Sequence, residues 1–344
     1  MKNNRLLGLV FSLLLLAGCT YDGKPLWSDE LYESVSTEVK GLLEACDASG
    51  GGYVAVEVQS GRSAVSNVVV RDSSGQYSSA DVEKILELDY YRFLMGDLFA
   101  PVLLTAALNE RCVDTSMLFS TNRFAPDAQQ MLRDGVRVDS LTMREALAMC
   151  SHAAYADLGF RFRDSFAGDI RTAVSPLFST KNRSHVIEMT GSLPDDTAFF
   201  RFCIGGESRM SVMGVVAFYN ALARGGVPIE PFPVPNNAPT LPGMPICSRE
   251  VAAQMTSLLQ GVGVYGPAAH ALQELPFAVA GKTAFIPEGY DHCGRTYMVG
   301  YFPADNPKWT LLLYMDDTER CTAALAATFA RVAEAVMANM STGQ

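Results

Sequence analysis

The chain has 344 residues, of which 49% are hydrophobic and 19% charged, and its formal net charge is −10. That hydrophobic fraction is enough for a substantial core, and the length suits one large or two small domains. The acid excess argues against nucleic acid as a partner.

Met1-Lys2 and Arg5 form a basic opening, followed by a short apolar run over residues 6–17. Leu16-Ala17-Gly18-Cys19 reads as a lipobox with Cys19 as the lipidated thiol, so residues 1–18 are expected to be a lipoprotein signal peptide. The run is too short for a spanning helix, and the expected result is an exported protein anchored to a membrane by lipid. Losing residues 1–18 removes Lys2 and Arg5 and no acid, which takes the charge from −10 to −12. Residues 19–29 are expected to be a tether and residues 30–340 one domain.

Residues 30–43 carry Leu31, Val35, Val39 and Leu42-Leu43 at helical spacing. A Gly, Ser and Asp cluster over 47–52 predicts a turn. Residues 53–58 are strand-like, Ser60-Gly61 is a hairpin turn, and residues 64–70 are the partner strand. Helices are predicted over 97–108, 141–149, 211–222 and 250–259. Strands follow over 278–285, 296–302 and 310–315, and an Ala-rich helix over 322–338 closes the chain. The middle block holds turn prolines at Pro231, Pro233, Pro235, Pro239, Pro242 and Pro245. One antiparallel five-stranded sheet with helices on both faces satisfies every apolar stripe, an α+β arrangement.

Beyond Cys19 there are seven cysteines: Cys46, Cys112, Cys150, Cys203, Cys247, Cys293 and Cys321. Their spacings match no CxxC pair or zinc pattern, and neither metal nor cofactor is implied. In an exported chain, at most one or two disulfides are expected.

Four local patterns share one resemblance. They are YVAVEVQSG at 53–61; MGDLFAP at 95–101, with LLTAAL following; Ile204-Gly205-Gly206 through the NALARGG segment ending at Gly226; and Ala280-Gly281-Lys282-Thr283 with VGYFPADNPKWT. Their order resembles the transpeptidase domain of class B penicillin-binding proteins, the cell-division type in particular. The resemblance covers roughly residues 50–340. It implies the penicillin-binding/β-lactamase-like fold and a place in cell-wall synthesis. The N-terminal pedestal domain usual in that class is not seen.

The resemblance also places the family's catalytic positions. Its nucleophilic serine falls on Asp97 and its lysine base on Ala100, and no Ser-x-x-Lys occurs anywhere. Such an enzyme needs a hydroxyl to acylate and a base one turn away to take the proton. Asp97, after a glycine and before an apolar helix, is expected to be a helix N-cap. The family's Ser-x-Asn falls on Cys150-Ser151-His152; the literal Ser120-Thr121-Asn122 is expected to be a turn. Cys150 and His152, two apart, are not expected to face each other on one helix. The other histidines are His185, His270 and His292. The family's Lys-Thr-Gly survives as Lys282-Thr283-Ala284, a remnant of the substrate-binding strand edge, with the Ala284 methyl a modest obstruction. A carboxylate at Asp97 is expected to face Lys282 across the old cleft.

These positions imply a catalytically inactive, lipid-anchored homologue of a peptidoglycan D,D-transpeptidase. Its expected role is binding or scaffolding, and its expected partners are wall stem peptide or wall-synthesis proteins. The rival reading is an active peptidoglycan-acting or penicillin-binding enzyme with another nucleophile, such as Cys150.

Overall fold

The structure is a computed structural model that describes residues 26–122, 132–133, 136–175, 188–189, 195–229, 231, 242–287, 293–319 and 321–342. The expected signal segment, Cys19, His185, His292, Pro233, Pro235 and Pro239 lie outside the described residues.

Helix α1 (Asp29–Ala45) leads into strands β1 (Gly50–Glu57), β2 (Ser63–Arg71) and β3 (Tyr77–Ser79). A long mostly helical stretch follows. It contains α2 (Val82–Tyr90), β4 (Phe93–Leu94), a 3-10 turn (Gly96–Phe99), α3 (Ala100–Asn109), β5 (Leu118–Ser120), β6 (Leu132–Arg133), β7 (Val136–Arg137) and β8 (Ser140–Thr142). Next come α4 (Met143–Met149), α5 (His152–Ser165), α6 (Ile170–Val174), β9 (Glu188–Met189), α7 (Asp196–Cys203), β10 (Ser208–Met210), α8 (Val212–Ala223), α9 (Arg249–Leu259) and α10 (Ala269–Leu272). Strands β11 (Ala280–Pro287), β12 (Gly294–Phe302) and β13 (Trp309–Thr318) precede the closing helix α11 (Thr322–Thr342).

The main sheet is antiparallel with strand order β11-β12-β13-β1-β2-β3. It has six strands where five were expected. The extra strand, β3, is three residues long and follows a tight turn in which Asp72 Oδ1 accepts the Ser74 and Gln76 amides at 2.8 and 2.9 Å. So short a run carries no hydrophobic period of its own. The expected turn over 47–52 ends sooner than predicted, because Gly50, Gly51 and Gly52 already pair with Asp316, Met315 and Tyr314. Glycine is required there. A Cβ on Gly51 would lie 2.4 Å from the Tyr314 carbonyl oxygen. The helix expected over 141–149 starts at Met143, because Thr142 and Glu145 form a reciprocal capping box.

The sheet separates two cores by its period of two. On β1, Val54 and Val56 join one core with Phe99, Leu103, Tyr155 and Val215. Tyr53 and Ala55 join the other with α1 and α11 residues such as Leu43, Leu325 and Phe329. The helical block thus lies on one face and the terminal helices on the other. Ser28 caps α1 by accepting the Leu31 amide at 3.2 Å. The two ends of the described chain meet at one residue. Trp27 packs edge-on against Trp309 with ring centroids 6.3 Å apart, and Trp309 Nε1 donates to Met340 Sδ at 2.9 Å.

Candidate functional site

Three segments form the site on the helical face. The first is the entry to α3. The Met95 amide donates to Ser208 O at 2.8 Å and the Gly96 amide to Gly205 O at 3.2 Å, while β4 pairs with β10. Gly96 has φ +47° and Gly205 φ +76°, backbone values suited to glycine. This clamp presents Asp97 in the first turn of the 3-10 segment, and Pro101, whose missing N–H costs nothing at a helix start, opens α3 behind it.

Asp97 is 2% exposed and its Oδ1 lies 3.0 Å from His152 Nε2. It is not the N-cap that was expected. Met95 holds the cap position of that turn, and the cap makes no side-chain hydrogen bond. Ala100, one turn on, is wholly buried among Leu103, Leu104 and other apolar residues.

The second segment is the break between α4 and α5. Cys150 ends α4 in the left-handed region, with φ 55° and ψ 51°. Ser151 then caps α5, its hydroxyl accepting the Ala154 amide at 3.3 Å. His152 opens α5, half-exposed at 50%. Cys150 and His152 therefore do not share a helix, and each turns to a different partner. Ser151, the only hydroxyl of the trio, is buried as a cap.

The third segment is β11, the edge strand. Lys282, Ala284 and Ile286 alternate onto the helical face, as the pairing of Lys282 with Val299 and Ala284 with Tyr297 requires. Lys282 is 0% exposed. Its Nζ donates to Cys150 Sγ at 2.9 Å and to the Thr283 carbonyl. The Cys150 thiol also reaches the Thr283 carbonyl at 3.3 Å and Thr283 Oγ1 at 3.9 Å. The Ala284 methyl, expected to obstruct the strand edge, is packed inward in the core.

Burial pushes the Cys150 thiol up from its ordinary range, and the Asp97 carboxylate adds to that, while Lys282 and Thr283 pull it back in part. A neutral thiol is thus the form the site favours. Tyr155, on α5, is pushed well up by burial, with Cys150 and Asp97 adding to it. The structure brings together Asp97, Ala100, Cys150, His152, Lys282 and Thr283, all of which were singled out from the sequence. It places His270 exposed on α10, the helix whose Leu272 packs in the other core. The literal Ser120-Thr121-Asn122 ends β5, where Thr121 Oγ1 donates to Val138 O at 2.5 Å and Asn122 Nδ2 to Asp139 Oδ1 at 2.6 Å, a turn as expected. What the sequence reasoning missed is the Asp97–His152 contact and the clamp between Gly96 and Gly205. Paired glycines preceding the site were the available signal.

An antiparallel sheet with a helical block on one face, and a site where a helix start, a helix break and an edge strand converge, is the architecture of the penicillin-binding transpeptidase fold. The family model described as the penicillin binding protein transpeptidase domain matches residues 91–338, and the chain belongs to that family. Among solved structures, the transpeptidase domain of Burkholderia pseudomallei penicillin-binding protein 3 aligns with a TM-score of 0.69 at 16% identity, covering 94% of this chain and 97% of that one. A peptidoglycan glycosyltransferase from Burkholderia ambifaria gives 0.72 at 15%, covering 92% and 98%. PBPA from Mycobacterium tuberculosis gives 0.64 at 18%, covering 90% and 80%. At these identities the likeness speaks for the fold. No curated protein matches the chain.

Proposed function

We propose that this member of the family is a lipid-anchored protein that does not perform acyl transfer and acts by binding, to wall stem peptide or to a protein of wall synthesis or division. One observation supports the reading: Asp97, the position that the resemblance assigns to the family's serine, is a buried carboxylate, and Ala100, the position that it assigns to the lysine, is a buried methyl. A carboxylate attacking an acyl carbonyl gives only an anhydride, which water destroys, and Ala100 can take no proton. A fold needs its surface, and not its nucleophile, to bind. Labelling with a fluorescent penicillin tests this. A band that survives denaturation and depends on the native fold overturns it.

The rival reading, a cysteine enzyme, draws support from Lys282 Nζ at 2.9 Å from Cys150 Sγ, since an ammonium favours a thiolate. Against it stands the net upward push on that thiol. Treatment with iodoacetamide at neutral pH separates the two. Preferential labelling of Cys150 over the other thiols favours the enzyme.

Two further outcomes are expected. Cys19→Ser moves the protein from the membrane fraction to the soluble one, because no helix of the described residues is long and apolar enough to cross a membrane. Retention after a salt wash points to another anchor. A peptide ending in D-Ala-D-Ala binds weakly, since the Asp97 carboxylate repels its terminal carboxylate. Asp97→Asn keeps a hydrogen-bonding partner for His152 and tightens binding roughly tenfold, about 1.4 kcal/mol. Calorimetry reads this directly, and weaker binding by the variant would make Asp97 part of a working site.

A further inference from the structure

The terminal-helix face holds two thiols that no part of the preceding reading uses. Cys46 is the C-cap residue of α1, and Cys321 immediately precedes α11. They are 275 residues apart in sequence, the difference between positions 321 and 46. The fold brings them together through adjoining strands: Gly50 pairs with Asp316, and the Ser49 amide donates to Asp316 O at 3.1 Å. Ser49 Oγ donates to Asp317 Oδ2 at 2.7 Å. The helices that start and end at these cysteines also lie against each other, with Arg331 Nε 2.7 Å from Glu38 Oε2. Both cysteines pack at the edge of the second core, and both are partly exposed. The other site cysteines are differently engaged: Cys150 faces Lys282, and Cys203 and Cys247 are buried.

We propose that Cys46 and Cys321 are the redox-active pair of this chain and form an intramolecular disulfide with a thiol–disulfide oxidant. One thiolate attacks a sulfur of the oxidant's disulfide and releases one oxidant thiol, leaving a mixed disulfide. The second thiolate attacks the chain's sulfur in that bond and expels the other oxidant thiol. Two thiols of the chain lose two protons and two electrons, and the oxidant's disulfide becomes two thiols. Burial and the neighbouring Cys321 push the Cys46 thiol up, so oxidation speeds up as the pH rises. The bond staples the first helix to the last without touching the cleft. It closes a long loop, the case in which a cross-link restricts the unfolded chain most. An exported chain would meet such an oxidant, but the chemistry is a property of the purified protein and does not rest on the reading of its function.

The test uses the full chain, reduced, desalted, incubated with oxidised glutathione and quenched with iodoacetamide. The expected result is a non-reducing peptide map in which the Cys46 and Cys321 peptides are joined. The thermal midpoint should rise by about 5 °C on oxidation. Cys46→Ser should abolish that rise and leave Cys321 open to alkylation or to glutathione. Full alkylation of both cysteines after oxidation overturns the proposal. So does stable glutathione on each, or pairing of either one with another cysteine. If the serine variant fails to fold, the map of the unaltered chain decides alone.

Discussion

Incubated for hours with a large excess of a β-lactam, the protein is expected to keep its intact mass. Acylation needs an oxygen nucleophile that yields a stable ester and a base positioned to deprotonate it. Asp97 supplies neither, and Ala100 is a buried methyl. A nucleophile and its base act as a unit, and losing them costs on the order of 10⁶ in rate, which puts any residual reaction below detection. The Asp97→Ser, Ala100→Lys double variant is expected to stay far from full activity. Cys150 and His152 would still occupy the positions that the resemblance assigns to the family's second motif, and Lys282 would still be turned to the Cys150 thiol. A stoichiometric adduct on the unaltered chain would overturn the inactive reading, and its position would name the nucleophile.

Gly205→Ala is expected to be among the most destabilising single-methyl changes available. At φ +76° an L side chain is strained, and the added Cβ would lie 2.2 Å from the Gly96 carbonyl oxygen and 2.8 Å from the Gly96 nitrogen. Both neighbours are backbone and cannot rotate aside. The clamp that presents Asp97 must open, at a cost of roughly 3 kcal/mol, or a fall in thermal midpoint of roughly 4–5 °C for a chain of this size. Gly41→Ala is the internal contrast. It is an exposed helical glycine with nothing within 4 Å of the new methyl, and the change should stabilise by about 0.5–1 kcal/mol. Equal midpoints for the two variants would remove the argument for the clamp.

Much of the fold was legible in the sequence because its long elements carry clean periods. Leu31, Val35, Val39 and Leu42 announced α1, and the three closing strands alternate or run apolar as buried strands do. Helix α5 was missed for a physical reason: Ala153 through Phe160 are buried on every side, so it shows no amphipathic stripe. Short strands such as β3, β4 and β10 hold two or three residues each and owe their existence to their partners. In the site, motif order placed Asp97, Cys150, His152 and Lys282 together, and the structure brings them together as two contacting pairs. Which side chain meets which was not legible. Asp97 turns to a histidine 55 positions away, and Lys282 to a thiol 132 positions away. Such pairings follow from the left-handed break at Cys150 and from the inward face of β11, and local sequence spells out neither.

The meeting of Trp27 and Met340 at Trp309 has a practical consequence. Both ends of the described chain leave from one spot on the face of the sheet away from the cleft. A short peptide could therefore join them, and new ends could be opened in a surface turn such as Asp72–Gly75, giving a circular permutant that keeps the cleft whole. For the same reason, dyes attached at the two ends would sit close enough for efficient energy transfer while the fold holds. Loss of that transfer would report the undocking of the terminal helices separately from any change at Asp97 or Lys282.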